Sequence, residues 1–106
     1  GVTFELKFND IAYFQDAVEY AKMGLVPAGT YKNRGYSVGK VEAQGIEEFY
    51  LDLLYDPQTS GGLLLSVAKE DLGTLLSELK ASGIDTAVSV IGSVAPESDK
   101  LIRLLK

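Results

Sequence analysis

Residues Val2 to Lys7 alternate in polarity, with Val2, Phe4 and Leu6 on one side and Thr3, Glu5 and Lys7 on the other. A two-residue period is the pattern of a half-buried strand. Asn9-Asp10 then offers a helix N-cap. Ile11, Phe14, Val18 and Ala21 follow at helical spacing, and Gly24 is a fitting stop. Residues 25–45 break the regularity with Pro27, Gly29, Gly35, Gly39 and Gly45, which predicts a long irregular loop. Ile46, Phe49, Tyr50, Leu53 and Leu54 mark a short amphipathic helix. Asp56-Pro57 ends it, because a residue before proline avoids the helical region.

The second half reads in the same way. Leu63-Leu64-Leu65-Ser66-Val67 is a near-continuous apolar run, suited to a central strand covered on both faces. Lys69-Glu70-Asp71 opens a third helix, with Leu72, Leu75, Leu76 and Leu79 on one stripe and Gly83 beyond it. Ala87 to Val94 is rich in strand formers, with Gly92 at a bulge or close approach. Leu101 to Leu105 predicts a last strand, joined to the one before by a hairpin-like connection through Pro96-Glu97-Ser98-Asp99. The order of elements predicts one α+β domain over 1–106, layered, with a mixed, partly antiparallel sheet packed by helices.

Composition narrows the chemistry. The 106 residues are 46% hydrophobic and 24% charged, an ordinary globular balance. A chain of this length is expected to bury roughly two thirds of its unfolded surface in one modest core. The net charge of -5 argues against nucleic acid as a partner, since phosphate neutralisation needs clustered Lys and Arg. No apolar run is long enough to span a membrane and the start lacks a signal-like pattern, while the lack of cysteine makes a reducing cytoplasm the plainer expectation. The opening on Gly1, without an initiator Met, reads as a start inside a longer protein. Cysteine and histidine are absent. That excludes disulfides, thiolate nucleophiles, Cys-type zinc sites and the commonest general base. A metal here would be a hard cation on oxygen ligands, such as Mg²⁺.

Two segments suit phosphate chemistry. Asp56-Pro57-Gln58-Thr59-Ser60-Gly61-Gly62 offers hydroxyls at Thr59 and Ser60. Its glycines permit positive φ and an anion-binding nest of N–H groups. It runs from helix into strand and lacks a Gly-Lys-Ser/Thr ending, so it is not a P-loop. The same residues also suit an ordinary turn. In the irregular stretch, Lys32 and Arg34 suit phosphate contacts and Thr30 and Asn33 suit hydrogen bonds, although a solvated surface loop would look alike. Glu47-Glu48 and Glu70-Asp71 fit the positive ends of helices better than catalysis.

Asp56 to Leu64 resembles the signature near the C-terminus of selenophosphate synthetases (selenide, water dikinases). Val26-Pro27-Ala28-Gly29-Thr30 with Asn33 resembles that family's Val-Pro-Gly-Gly-Thr loop, with Ala28 in place of a glycine. Val90-Ile91-Gly92-Ser93-Val94 resembles its Ile-Gly-Glu-Val strand, with Ser93 in place of Glu. The resemblance implies most of the C-terminal domain shared with aminoimidazole ribonucleotide synthetase, packed against an N-terminal ATP-binding domain. It implies a homodimeric parent that uses ATP and Mg²⁺ to make selenophosphate from selenide and water, releasing AMP and phosphate. Thr59, Ser60, Gly61, Gly62, Thr30 and Asn33 would then lie near the nucleotide phosphates. The family's reactive Cys or selenocysteine, its Lys and most of its Mg²⁺-binding aspartates have no counterpart here. The chain alone is therefore expected to be inactive, with no catalytic or metal-ligating residue and no tightly bound cofactor. The alternative is a non-catalytic packing or oligomerisation domain of a related ATP-dependent synthetase.

Overall fold

A computed structural model describes residues 1–106. Strand β1 (Val2–Lys7) leads through a 3-10 turn at Phe8–Asp10 to helix α1 (Gln15–Lys22) and helix α2 (Ala28–Ser37). Strand β2 (Val41–Ala43), helix α3 (Glu48–Leu54) and helix α4 (Leu72–Ala81) follow, then β3 (Gly92–Pro96) and β4 (Ile102–Leu105). The four strands form one sheet in the order β2-β4-β1-β3. β1 pairs antiparallel with β3 and parallel with β4, and β2 pairs parallel with β4. This is the mixed sheet and the layered α+β architecture that the element order predicts.

The hairpin expected between the last two strands does not form, because β1 lies between them. Residues 97–101 instead wrap past the start of β1. Thr3 holds them there: its Oγ1 accepts from the Ser98 N–H at 2.9 Å and donates to the Lys100 carbonyl at 2.7 Å. Thr3 is one of only six buried residues.

Register sorts the sheet into two faces. Phe4, Ile102 and Val41 align on one, and Leu6, Leu104 and Ala43 follow them. On the other, Glu42, Arg103, Glu5 and Ser93 form a row across all four strands. Arg103 Nε lies 3.3 Å from Glu42 Oε2. Serine at position 93 spares Glu5 a like-charged neighbour across the ladder.

Several expected boundaries move. α1 begins at Gln15 because the 3-10 turn comes first, with the Ile11 N–H on the Phe8 carbonyl at 3.1 Å. Asn9-Asp10 is therefore no N-cap, and Phe14 takes that place in extended geometry. The turn lets Tyr13 stack on Phe8 at 5.7 Å between ring centroids. Tyr50 of α3 reaches Phe8 at 4.7 Å and Tyr13 at 5.9 Å, tying α3 to the turn through aromatic pairs. The expected loop 25–45 contains α2 and β2. Pro27 stands at the N-cap of α2 with φ −61°, and packing against α3 carries a helix whose glycines disfavour it. The strand predicted from Ala87 begins at Gly92. A Cβ at Gly92 would lie 2.0 Å from the Glu5 carbonyl oxygen, so only glycine allows this approach.

The largest departure is at Leu63–Val67, which pairs with no strand. Both flanks of β1 are already taken by β3 and β4. No backbone–backbone hydrogen bond involves residues 57–67. The core is correspondingly smaller than the length predicts, with Phe8, Val18, Ala21 and Leu104 its buried apolar members. The radius of gyration, 15.0 Å, exceeds the roughly 13 Å of a compact chain of this length. No helix is long and apolar enough to cross a membrane.

Candidate functional site: the loop after helix α3

α3 ends at Leu54, and Tyr55 and Asp56 close its last turn on the Leu51 and Leu53 carbonyls. Pro57 then sends the chain outward. Gly29 of α2 lies directly beneath it, where an added Cβ would come within 2.7 Å of Pro57 Cγ. Four residues further along α2, the Asn33 side-chain amide donates to the Tyr55 carbonyl at 2.8 Å. These two contacts fix the loop against α2.

The loop opens into a polar depression of about 630 Å³ lined by Asn33, Asp56, Pro57, Gln58, Thr59, Gly61 and Gly62. Of the six candidate residues, the structure brings Asn33, Thr59, Gly61 and Gly62 together here. Ser60 is exposed beside them but does not line the depression. Thr30 is fully buried and also absent from the lining, and its Oγ1 meets no partner. Gln58 of the same motif also lines the depression and donates to Asp56 at 3.3 Å.

Neither Gly61 nor Gly62 adopts positive φ, so the expected αR–αL nest is not formed. Another property suits an oxyanion instead. The N–H groups of Gln58 to Gly62 donate to no backbone acceptor, and no side chain accepts from them. These N–H groups and hydroxyls belong to exposed residues, so they are open to an acceptor from solution. Asp56 is the one carboxylate among the lining residues. No group of three or more acidic side chains gathers anywhere as a metal site.

Arg34 does not serve this depression. Its Nη1 donates to Asp52 Oδ1 at 2.8 Å and its Nη2 to Glu48. The hydrogen bond to Glu48, then that to Asp52, outweigh desolvation and raise the guanidinium pKa. Of the two readings open for Arg34, a phosphate contact or a solvated loop charge, neither holds: it forms an ion-paired clamp between α2 and α3. Its partners lie 14 and 18 residues along the chain, a separation that no local pattern reveals. Lys32 is exposed and makes no ion pair.

Fold and loop define the class: a layered α+β domain carrying a surface loop of unpaired N–H groups and hydroxyls. No family profile matches the chain. Individual proteins do. It is 41% identical over 102 residues to selenide, water dikinase 2 of Peptoclostridium acidaminophilum, covering 96% of this chain and 29% of that protein. It is 44% identical over 105 residues to the selenide, water dikinase of Clostridioides difficile, and 36% identical over 107 residues to that of Treponema denticola. Each of those alignments covers 98% of this chain and 30% of the relative. The chain belongs to the selenide, water dikinase family and spans about 30% of the length of these curated relatives, corresponding to their C-terminal part.

Proposed function

We propose that residues 1–106 form a single domain, most of the C-terminal domain of a selenide, water dikinase, and that its loop completes the phosphate side of an ATP site. The parent would make selenophosphate from selenide, ATP and water and release AMP and phosphate. The observation that carries this reading is the set of unpaired donors from Gln58 to Gly62 in a family named for an ATP-type phosphotransfer. Thr59 and Ser60 would donate hydroxyl hydrogens to phosphate oxygens, and the free N–H groups would add to them. Asn33 would act by holding Tyr55, and through it the start of the loop. Phosphoryl transfer asks for positioning and charge neutralisation more than covalent chemistry, which suits a domain without Cys or His. Mg²⁺ would be carried by the nucleotide phosphates, with Asp56 the nearest carboxylate this chain can offer. An N-terminal ATP-binding domain would be the partner across the cleft, in a cytoplasmic homodimer.

The test is Thr59→Ala with Ser60→Ala in an enzyme that joins this domain to the ATP-binding part of the family. Turnover should fall and the KM for ATP should rise. Wild-type values for both would remove the loop from the nucleotide site.

A further inference from the structure

We propose that Gln58 is a positioning residue of the Asp56–Gly62 loop, whose side-chain amide masks the Asp56 carboxylate and so lets the depression accept an oxyanion. Gln58 has this role only if the loop meets phosphate, the reading proposed above.

The charges around the depression set the problem. Its seven lining residues include one carboxylate, Asp56, and no Lys or Arg. The chain as a whole carries a net charge of -5. Arg34, next to Asn33 in the chain, is held by Asp52 and Glu48. The N–H groups of Gln58 to Gly62 would attract an oxyanion, and a bare carboxylate beside them would repel it. An aspartate also tends to accept from the N–H two residues on, which would occupy a donor that the ligand needs.

Gln58 meets both difficulties from where it stands. Its Nε2 donates to Asp56 Oδ2 at 3.3 Å, so an amide dipole faces the one negative group of the lining. With that oxygen engaged, Asp56 accepts from no backbone N–H of the loop. The other end of the amide folds back over Gly61. A Cβ built on Gly61 would lie 2.5 Å from Gln58 Oε1 and 3.3 Å from Gln58 Cβ. Gly61 does not adopt positive φ, so its backbone does not ask for glycine. Space asks for it: the missing Cβ leaves room for the amide that covers Asp56. Gly62 has open space at the same point, which sets the two neighbouring glycines apart. A neutral amide screens the carboxylate and leaves the five backbone donors to the ligand.

The test titrates inorganic pyrophosphate, free of divalent cations, into the chain and follows the amide resonances of residues 58–62. Gln58→Ala should weaken binding about two- to fivefold, the scale of exposed charge effects. Gln58→Glu replaces the donor with a second carboxylate and should weaken it about fivefold or more. Asp56→Asn removes the charge to be masked and should bind more tightly than wild type. In that background Gln58→Ala should cost nothing. The losses should also shrink as salt is added, because screening acts on charge and not on shape. Equal affinity in wild type and Gln58→Ala would overturn the inference and leave the phosphate reading standing. So would a loss that Asp56→Asn fails to restore, since Gln58 would then only shape the loop. Binding that appears only with Mg²⁺ would overturn it too, with the cation and not Gln58 masking Asp56. Wild-type amides that shift with neither pyrophosphate nor its Mg²⁺ complex would overturn the phosphate reading itself, and the inference with it.

Discussion

Thr3 and Ser98 stand 95 residues apart in the chain and in hydrogen-bond contact in the fold, with the Ser98 N–H on Thr3 Oγ1 and the two hydroxyls 2.9 Å apart. This contact holds the link between β3 and β4 across the start of β1. Thr3→Val keeps the shape and removes the hydroxyl. The Ser98 N–H and the Lys100 carbonyl then lose a partner in a part-buried site. The expected cost is about 1–3 kcal/mol, read from urea denaturation at constant m-value. Thr3→Ser should retain most of the stability. A valine variant as stable as wild type would show that the link holds itself in place.

Arg34 should matter to stability and not to anion binding. Its guanidinium spans Asp52 and Glu48, and Asp52 is only 14% exposed on its side chain. Arg34→Met keeps the aliphatic stem and removes both ion pairs. A loss of about 1 kcal/mol is expected from a two-carboxylate pair of this partial exposure. Phosphate or nucleotide affinity, measured by titration calorimetry, should stay unchanged. A drop in affinity at full stability would return Arg34 to the ligand site.

The contrast between these residues shows what the sequence carries. Periodicity announces β1, α3, α4 and β4, because each has one apolar face set by local spacing. It misses α2, where Gly29 and Gly35 read as loop, because the contacts that sustain that helix are with Pro57, Asp52 and Glu48 further along the chain. It misplaces the strand at 63–67, where local propensity asks for a ladder and the sheet has no inner place left. The Asp56–Gly62 loop is legible as a motif. Its backing by Asn33 and Gly29 is not, since neither contact is local.

Tyr50 gives the pH dependence. Its packing among Phe8, Tyr13 and Phe49 desolvates the phenol and raises its pKa above the ordinary 10.0, and the neighbouring Tyr13 adds to the shift. The folded state therefore favours the neutral form. Its contribution to stability is complete below the unfolded pKa of about 10 and is lost as pH rises through the folded value. Denaturation midpoints measured from neutral pH into the alkaline range should fall more steeply for wild type than for Tyr50→Phe. Parallel curves would mean that Tyr50 ionises as it does in the unfolded chain.

Gly29 and Pro57 join the structural and functional questions at one contact. Glycine inside a helix usually costs roughly 0.5–1 kcal/mol relative to alanine, so Gly29→Ala would ordinarily stabilise α2. Here the new methyl would meet the proline ring at 2.7 Å, and a ring cannot swing aside as a flexible chain end can. Overpacking of this kind costs about 1–3 kcal/mol, which exceeds the helix gain. Gly29→Ala alone should therefore destabilise the chain and move Pro57, with a shift in the Asn33 side-chain amide resonance as its hydrogen bond to the Tyr55 carbonyl stretches. In Pro57→Gly both the Cγ and the Cβ, itself 3.0 Å from the new methyl, are gone, and adding Gly29→Ala should now stabilise. A double-mutant cycle should return a coupling of about 1–2 kcal/mol. Simple additivity would mean that α2 and the loop move independently, and that the depression is not shaped from beneath by α2.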